Sequence, residues 1–209
     1  MSANHAAFNL IFRFVENYVS PIAGRISSQR HVMAIRDGFI SAMPFMIVGS
    51  FLLVFAYPPF SPDTTWGFAR AWLDMAKQFE GQILTPFDMT MGIMSIYICA
   101  AIAYNLGKHY VKSHQLDPFM CAMLSLMAFL LVAAPKTKGT LPVDSLGGTG
   151  IFTAILVAIY CVEMMRFLKA HNIGIRLPDQ VPPMIKNSFD LLIPVLVVVL
   201  TLYPLSLLI

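Results

Sequence analysis

Charge is what this chain has least of. Only 12% of its 209 residues are Asp, Glu, Lys or Arg, while 57% are hydrophobic. Soluble domains carry about 25% charged residues. So few charges cannot cover a soluble fold with this much apolar surface, whereas lipid can. The formal net charge of +3 is too small to suggest nucleic acid. Cysteine is scarce too. Cys99, Cys121 and Cys161 all fall in apolar stretches, with no Cys-x-x-Cys or Cys/His spacing. They read as small buried apolar residues rather than a redox or zinc motif. The five histidines, His5, His31, His109, His114 and His171, have no partner at metal-ligand spacing. Each reads as a solvated loop residue. Gly147-Gly148-Thr149-Gly150 lacks the spacing and the Lys of a phosphate loop. No metal and no cofactor is expected. The N-terminus shows neither an apolar h-region nor a small-residue cleavage site, so the first span should serve as an uncleaved insertion signal.

What is present is a series of charge-free runs: residues 38–57, 89–107, 118–135, 146–162 and 191–209. A run of about 20 apolar residues matches the hydrocarbon thickness of a bilayer. The expected fold is therefore an all-α integral membrane protein with five transmembrane helices. Pro44 and Pro194 fall inside spans, where each removes a backbone donor and should kink its helix. The last run reaches Ile209 with no Lys or Arg anchor after it. Spans usually end in such anchors, so the chain reads as the front part of a longer one. Two amphipathic stripes complete the set. Phe8, Ile11, Phe12, Val15, Tyr18, Val19 and Ile22 recur at helical spacing. They fit a helix in the membrane surface or one packed on the spans. Trp66, Ala69, Trp72, Leu73, Ala76 and Phe79 make the second stripe, and both tryptophans lie there. It reads as a helix on the outer surface.

Lys and Arg set the orientation. The N-terminal arm and the second and fourth loops hold ten, and the opposite side holds four. That places the N-terminus in the cytoplasm and Ile209 outside. Residues 1–37 form a cytoplasmic arm, and residues 38–209 form the five-span body. There is no soluble domain, linker or internal repeat.

A few residues invite chemistry. Gly150, Ala154 and Ala158 stand at four-residue spacing, which lets helix backbones approach closely, within the chain or between subunits. Asp88 lies at the mouth of the second span. It reads either as a helix cap or as a ligand on a pathway, with Thr90 beside it. Glu163 and Arg166, three residues apart, should form a local ion pair. The loop holding Pro178, Pro182 and Pro183 should be a rigid connector.

That loop also carries a resemblance. Leu177-Pro178-Asp179, Val181-Pro182, Ser188-Phe189 and Leu192-Ile193-Pro194 resemble enzyme IIC, the sugar-permease subunit of the bacterial phosphotransferase system. The lactose/cellobiose/diacetylchitobiose group is the nearest. His31-Val32, Ala34-Ile35-Arg36-Asp37-Gly38-Phe39-Ile40, Met43-Pro44 and Met91-Gly92-Ile93-Met94-Ser95 agree with it. The resemblance implies a homodimeric protein of the bacterial cytoplasmic membrane with ten spans. In such a protein the N-terminal half builds the dimer and the C-terminal half holds most of the disaccharide site. It implies cytoplasmic IIB and IIA phosphocarrier partners. The family's Gly-rich His motif and Asn-Glu-Pro motif are both absent here, so no catalytic residue carries over. The chain is expected to be the scaffold half of such a permease, with Pro178, Pro182 and Pro183 as the hinge between halves. A non-transporting dimerising scaffold and a small autonomous transporter are the alternatives.

Overall fold

The computed structural model describes residues 13, 15–133, 143–175, 182, 185 and 189–208. Every regular element among them is helical. We number the α-helices α1 (Ser20–Ser27), α2 (Arg30–Ala56), α3 (Gly67–Gln78), α4 (Glu80–Phe87), α5 (Met94–His114), α6 (Pro118–Ala133), α7 (Ile151–Ala170) and α8 (Leu192–Leu208). A π-helical turn, Asp88–Gly92, joins α4 to α5.

Three stretches are long and apolar enough to cross a membrane: Arg30–Ala56, Glu80–His114 and Gly148–Ala170. Two further apolar helices, Pro118–Ala133 and Leu192–Leu207, are shorter. Helices outrun the charge-free runs because backbone hydrogen bonding needs no apolarity. α2 begins at Arg30, eight residues before its run, and at 27 residues is about 40 Å long. It passes through Pro44. Pro194 is the third residue of α8. There its missing N–H has no intrahelical partner to lose, so the kink expected at Pro194 has no cause. Pro204 is the interior proline of that helix.

α5 is the central post, with α2, α6 and α7 packed around it and α8 resting on α6 and α7. Its buried residues Ser95, Ile98, Cys99, Ile102, Ala103, Leu106, Gly107 and Tyr110 repeat at three- and four-residue spacing over two sides of the helix. Cys99, Cys121 and Cys161 are buried and free, in keeping with their apolar reading. Small residues decide how close the neighbours come. α2 buries Ala34, Gly38, Ala42, Gly49 and Ala56. A Cβ on Gly38 would stand 2.4 Å from Ile102 Cγ1 and 2.9 Å from the Ile102 backbone nitrogen. Only glycine permits that approach, and small interfacial residues bring packed spans together in this way. Outward faces are apolar instead: Phe51 of α2 is 63% exposed and Phe152 of α7 71%. In water these would be liabilities, and in lipid they match the solvent.

α3 forms on the second predicted stripe. It buries Ala69 and Ala76, and the Trp72 indole N–H donates to the Phe55 carbonyl at 3.2 Å. Phe60 sits edge-on to both Trp66 and Trp72, with ring centroids 5.8 and 5.7 Å away. Of the first stripe, Phe8, Ile11 and Phe12 lie outside the described residues, and Val15 and Ile22 are exposed.

Candidate functional site

Three helix ends meet at a single carboxylate. α5 and α7 end, and α2 begins, at the same end of the bundle, because α6 returns the chain between them. Glu163 stands just past the apolar run of α7. Its Oε1 accepts from Tyr110 Oη of α5 at 2.5 Å and lies 2.9 Å from His31 Nε2 of α2. Its Oε2 accepts from Arg166 Nε at 2.6 Å. The Glu163–Arg166 ion pair therefore forms as the spacing indicates. The guanidinium carbons of Arg30 and Arg166 lie 5.2 and 5.4 Å from the centroid of the Tyr110 ring. The Glu163 side chain is 24% exposed, so these donors act at reduced dielectric.

His31 corrects the reading of every histidine as a solvated loop residue. It is half-buried, on the first turn of α2, and bonded to a residue 132 positions away. Nothing local in the sequence announces that partner. His171 also has one, as its Nδ1 lies 2.9 Å from the Phe167 carbonyl. A second ion pair, Lys169 Nζ to Asp190 Oδ2 at 2.6 Å, ties the end of α7 to the approach of α8. It clamps the two ends of the proline-bearing loop together. Pro182 is exposed, while Pro178 and Pro183 lie outside the described residues.

At the other end of α5, Asp88 opens the π turn inside an otherwise helical run from Glu80 to His114. No helix begins there, and no side chain caps one. That removes the capping reading: the helix starts nine residues earlier than the apolar run. Asp88 is exposed. The Thr90 hydroxyl donates to the Pro86 and Phe87 carbonyls at 2.8 and 3.0 Å, so it serves its own helix. Gly49 of α2 packs on this turn, since a Cβ there would stand 2.7 Å from Thr90 Oγ1. π turns inside helices recur at functional positions.

Gly150, Ala154 and Ala158 face inward within the chain, and all three are buried. A Cβ on Gly150 would stand 2.2 Å from the Ser145 carbonyl and 2.9 Å from Ser95 Oγ. The Ser95 hydroxyl and its amide both donate to the Leu146 carbonyl, the amide at 3.0 Å. The start of α7 is thus pinned to the start of α5. The whole arrangement fixes helices against one another at both ends. It brings Glu163, His31, Tyr110 and Arg166 together, and it leaves Asp88 apart from them.

Residues 36–209 match the family described as phosphotransferase system, EIIC. The chain belongs to this family. It is 37% identical over 206 residues to the cellobiose-specific EIIC component of Geobacillus stearothermophilus, covering 90% of this chain and 43% of that protein. It is 32% identical over 194 residues to the lactose-specific EIICB component of Lactococcus lactis, covering 90% of this chain and 33% of that protein. Its fold matches the crystal structure of the transporter ChbC, the IIC component of the N,N'-diacetylchitobiose-specific phosphotransferase system. That match has a TM-score of 0.78 and 34% identity, over 94% of this chain and 46% of the other. This EIIC chain spans less than half the length of these relatives.

Proposed function

We propose that this chain supplies the scaffold half of a disaccharide permease of the phosphotransferase system. It crosses the bacterial cytoplasmic membrane five times with its N-terminus inside, and it pairs as a homodimer. Sugar of the cellobiose, lactose or chitobiose type enters from outside, is held mainly by the other half, and is phosphorylated at the cytoplasmic face. The phosphate comes from a IIB subunit charged by IIA. The fused EIICB relative supports a IIB partner. The observation that carries the reading is the likeness of fold to the diacetylchitobiose transporter along nearly the whole chain. Packing supports it too, for bundle and junction are built to hold shape rather than to react. The stretch around Pro178, Pro182 and Pro183 is the hinge, its ends joined by Lys169 and Asp190.

Co-expression tests this. The chain, tagged, is produced with the part of the Geobacillus cellobiose component that it does not cover. The two co-purify as one assembly holding two copies of each. With Pro182 and Pro183 replaced by alanine they still co-purify, but transport slows. Failure of the two pieces to associate counts against a scaffold role.

A further inference from the structure

A groove of about 420 Å³ runs between α2 and α5, away from the Glu163 junction. Its chemistry is graded along its length. One end is apolar, with Phe45 and Tyr97 stacked at 4.4 Å and 12° and with Ala101 and Ala122 lining it. The other end carries Asn105 and Lys108. Asn105 Nδ2 donates to the Ala101 carbonyl at 2.9 Å, which leaves its amide oxygen and second N–H for another partner. The Lys108 ammonium lies 4.4 Å from the centroid of the Tyr104 ring. Among the described residues it has no carboxylate within ion-pair distance. The nearest acid along the α2 wall, Asp37, is already paired with Arg36 at 2.8 Å.

Depth matters as much as charge. Lys108 is the first charge after the run that ends at Gly107. It therefore stands where hydrocarbon gives way to headgroups, on the Lys- and Arg-rich side. An apolar slot with a lone cation at headgroup level has the shape and polarity of an amphiphile with an anionic head. A second copy of the chain is a poorer occupant. This face offers Lys108 no free carboxylate, so a copy laid on it would bury an unpaired ammonium.

We propose that the α2–α5 groove is a binding site for an anionic phospholipid. The phosphate pairs with Lys108 and Asn105, and one acyl chain lies along Tyr97, Phe45 and Ala101. Cation–π contact with Tyr104 holds the ammonium in place while the site is empty.

The test uses the purified full chain in phosphatidylcholine nanodiscs doped with phosphatidylglycerol. Lipid retained after transfer to detergent is counted by native mass spectrometry. One phosphatidylglycerol per chain is expected to survive. Lys108→Gln should lower retention about fivefold, the worth of one well-placed basic residue at a membrane surface. Ala101→Phe, which fills the slot, should lower it as well. Lys112→Gln removes the same charge from the same helix outside the groove and should leave retention unchanged. Equal loss with Lys112→Gln would mean diffuse attraction and overturn the site. So would retention unaffected by Lys108→Gln, or cross-links across the groove between two copies of the chain. Lys108 is exposed, so its variant is expected to melt at the same temperature as the parent chain.

Discussion

Gly150→Ala abolishes most of the folded chain. One added methyl would stand 2.2 Å from the Ser145 carbonyl, 2.9 Å from Ser95 Oγ and 3.3 Å from Phe129 Cζ. Those atoms belong to the turn before α7, to α5 and to α6, so no single rotamer change relieves the clash. The Ser145 oxygen is backbone and cannot move without the turn. Ser95 is held by the Leu146 carbonyl through both its amide and its hydroxyl. Overpacking of this kind costs about 3 kcal/mol or more. Gly81→Ala is the control, because a Cβ there meets nothing within 4 Å. Size-exclusion profiles and thermal melts in detergent check both variants. Gly150→Ala should give aggregate and little monodisperse protein, while Gly81→Ala should match the parent. Equal behaviour would show that the α5–α7 approach is looser than the packing described.

Glu163→Ala ranks second. It strands three donors at once: Tyr110 Oη, the His31 ring and Arg166 Nε. Leaving partly buried donors and a cation unpaired costs about 2–3 kcal/mol. The loss spreads over α2, α5 and α7 together, so melting should lose cooperativity as well as fall in temperature. Glu163→Gln keeps an acceptor for Tyr110 but loses the charge facing Arg166, and it should recover about half of the loss. Arg166→Ala alone should cost less, because Tyr110 and His31 still hold the carboxylate. Thermal unfolding followed by tryptophan fluorescence ranks the three variants. A harmless Glu163→Ala would mean that the junction contributes nothing to holding the helices.

Apolar runs made the membrane class legible, and the Trp66–Phe79 stripe made α3 legible. Both signals are local and periodic. Glu163 with Arg166 could be read because the partners are one helical turn apart. Tyr110 and His31 could not, being 53 and 132 positions from Glu163. Only the folding of three helix ends to one place reveals them. The α2 stripe of Ala34, Gly38 and Ala42 was open to the same four-residue argument as Gly150, Ala154 and Ala158. It is masked by the larger residues between them, among which Ile35 and Phe39 also pack on the core while Ile40 is exposed. Asp88 misled for a different reason. The end of an apolar run marks where lipid-matching stops, whereas a helix end is set by hydrogen bonding and caps. The two coincide only when the flanking sequence breaks the helix, and residues 80–87 do not.

The most direct test of the scaffold assignment is cellobiose uptake in membrane vesicles, with IIA, IIB and phosphoenolpyruvate supplied. Three preparations are compared: this chain alone, the uncovered part of the Geobacillus component alone, and both together. The account predicts phosphorylated cellobiose inside the vesicles only when both pieces are present. Accumulation with this chain alone would contradict it, and so would accumulation with the other piece alone.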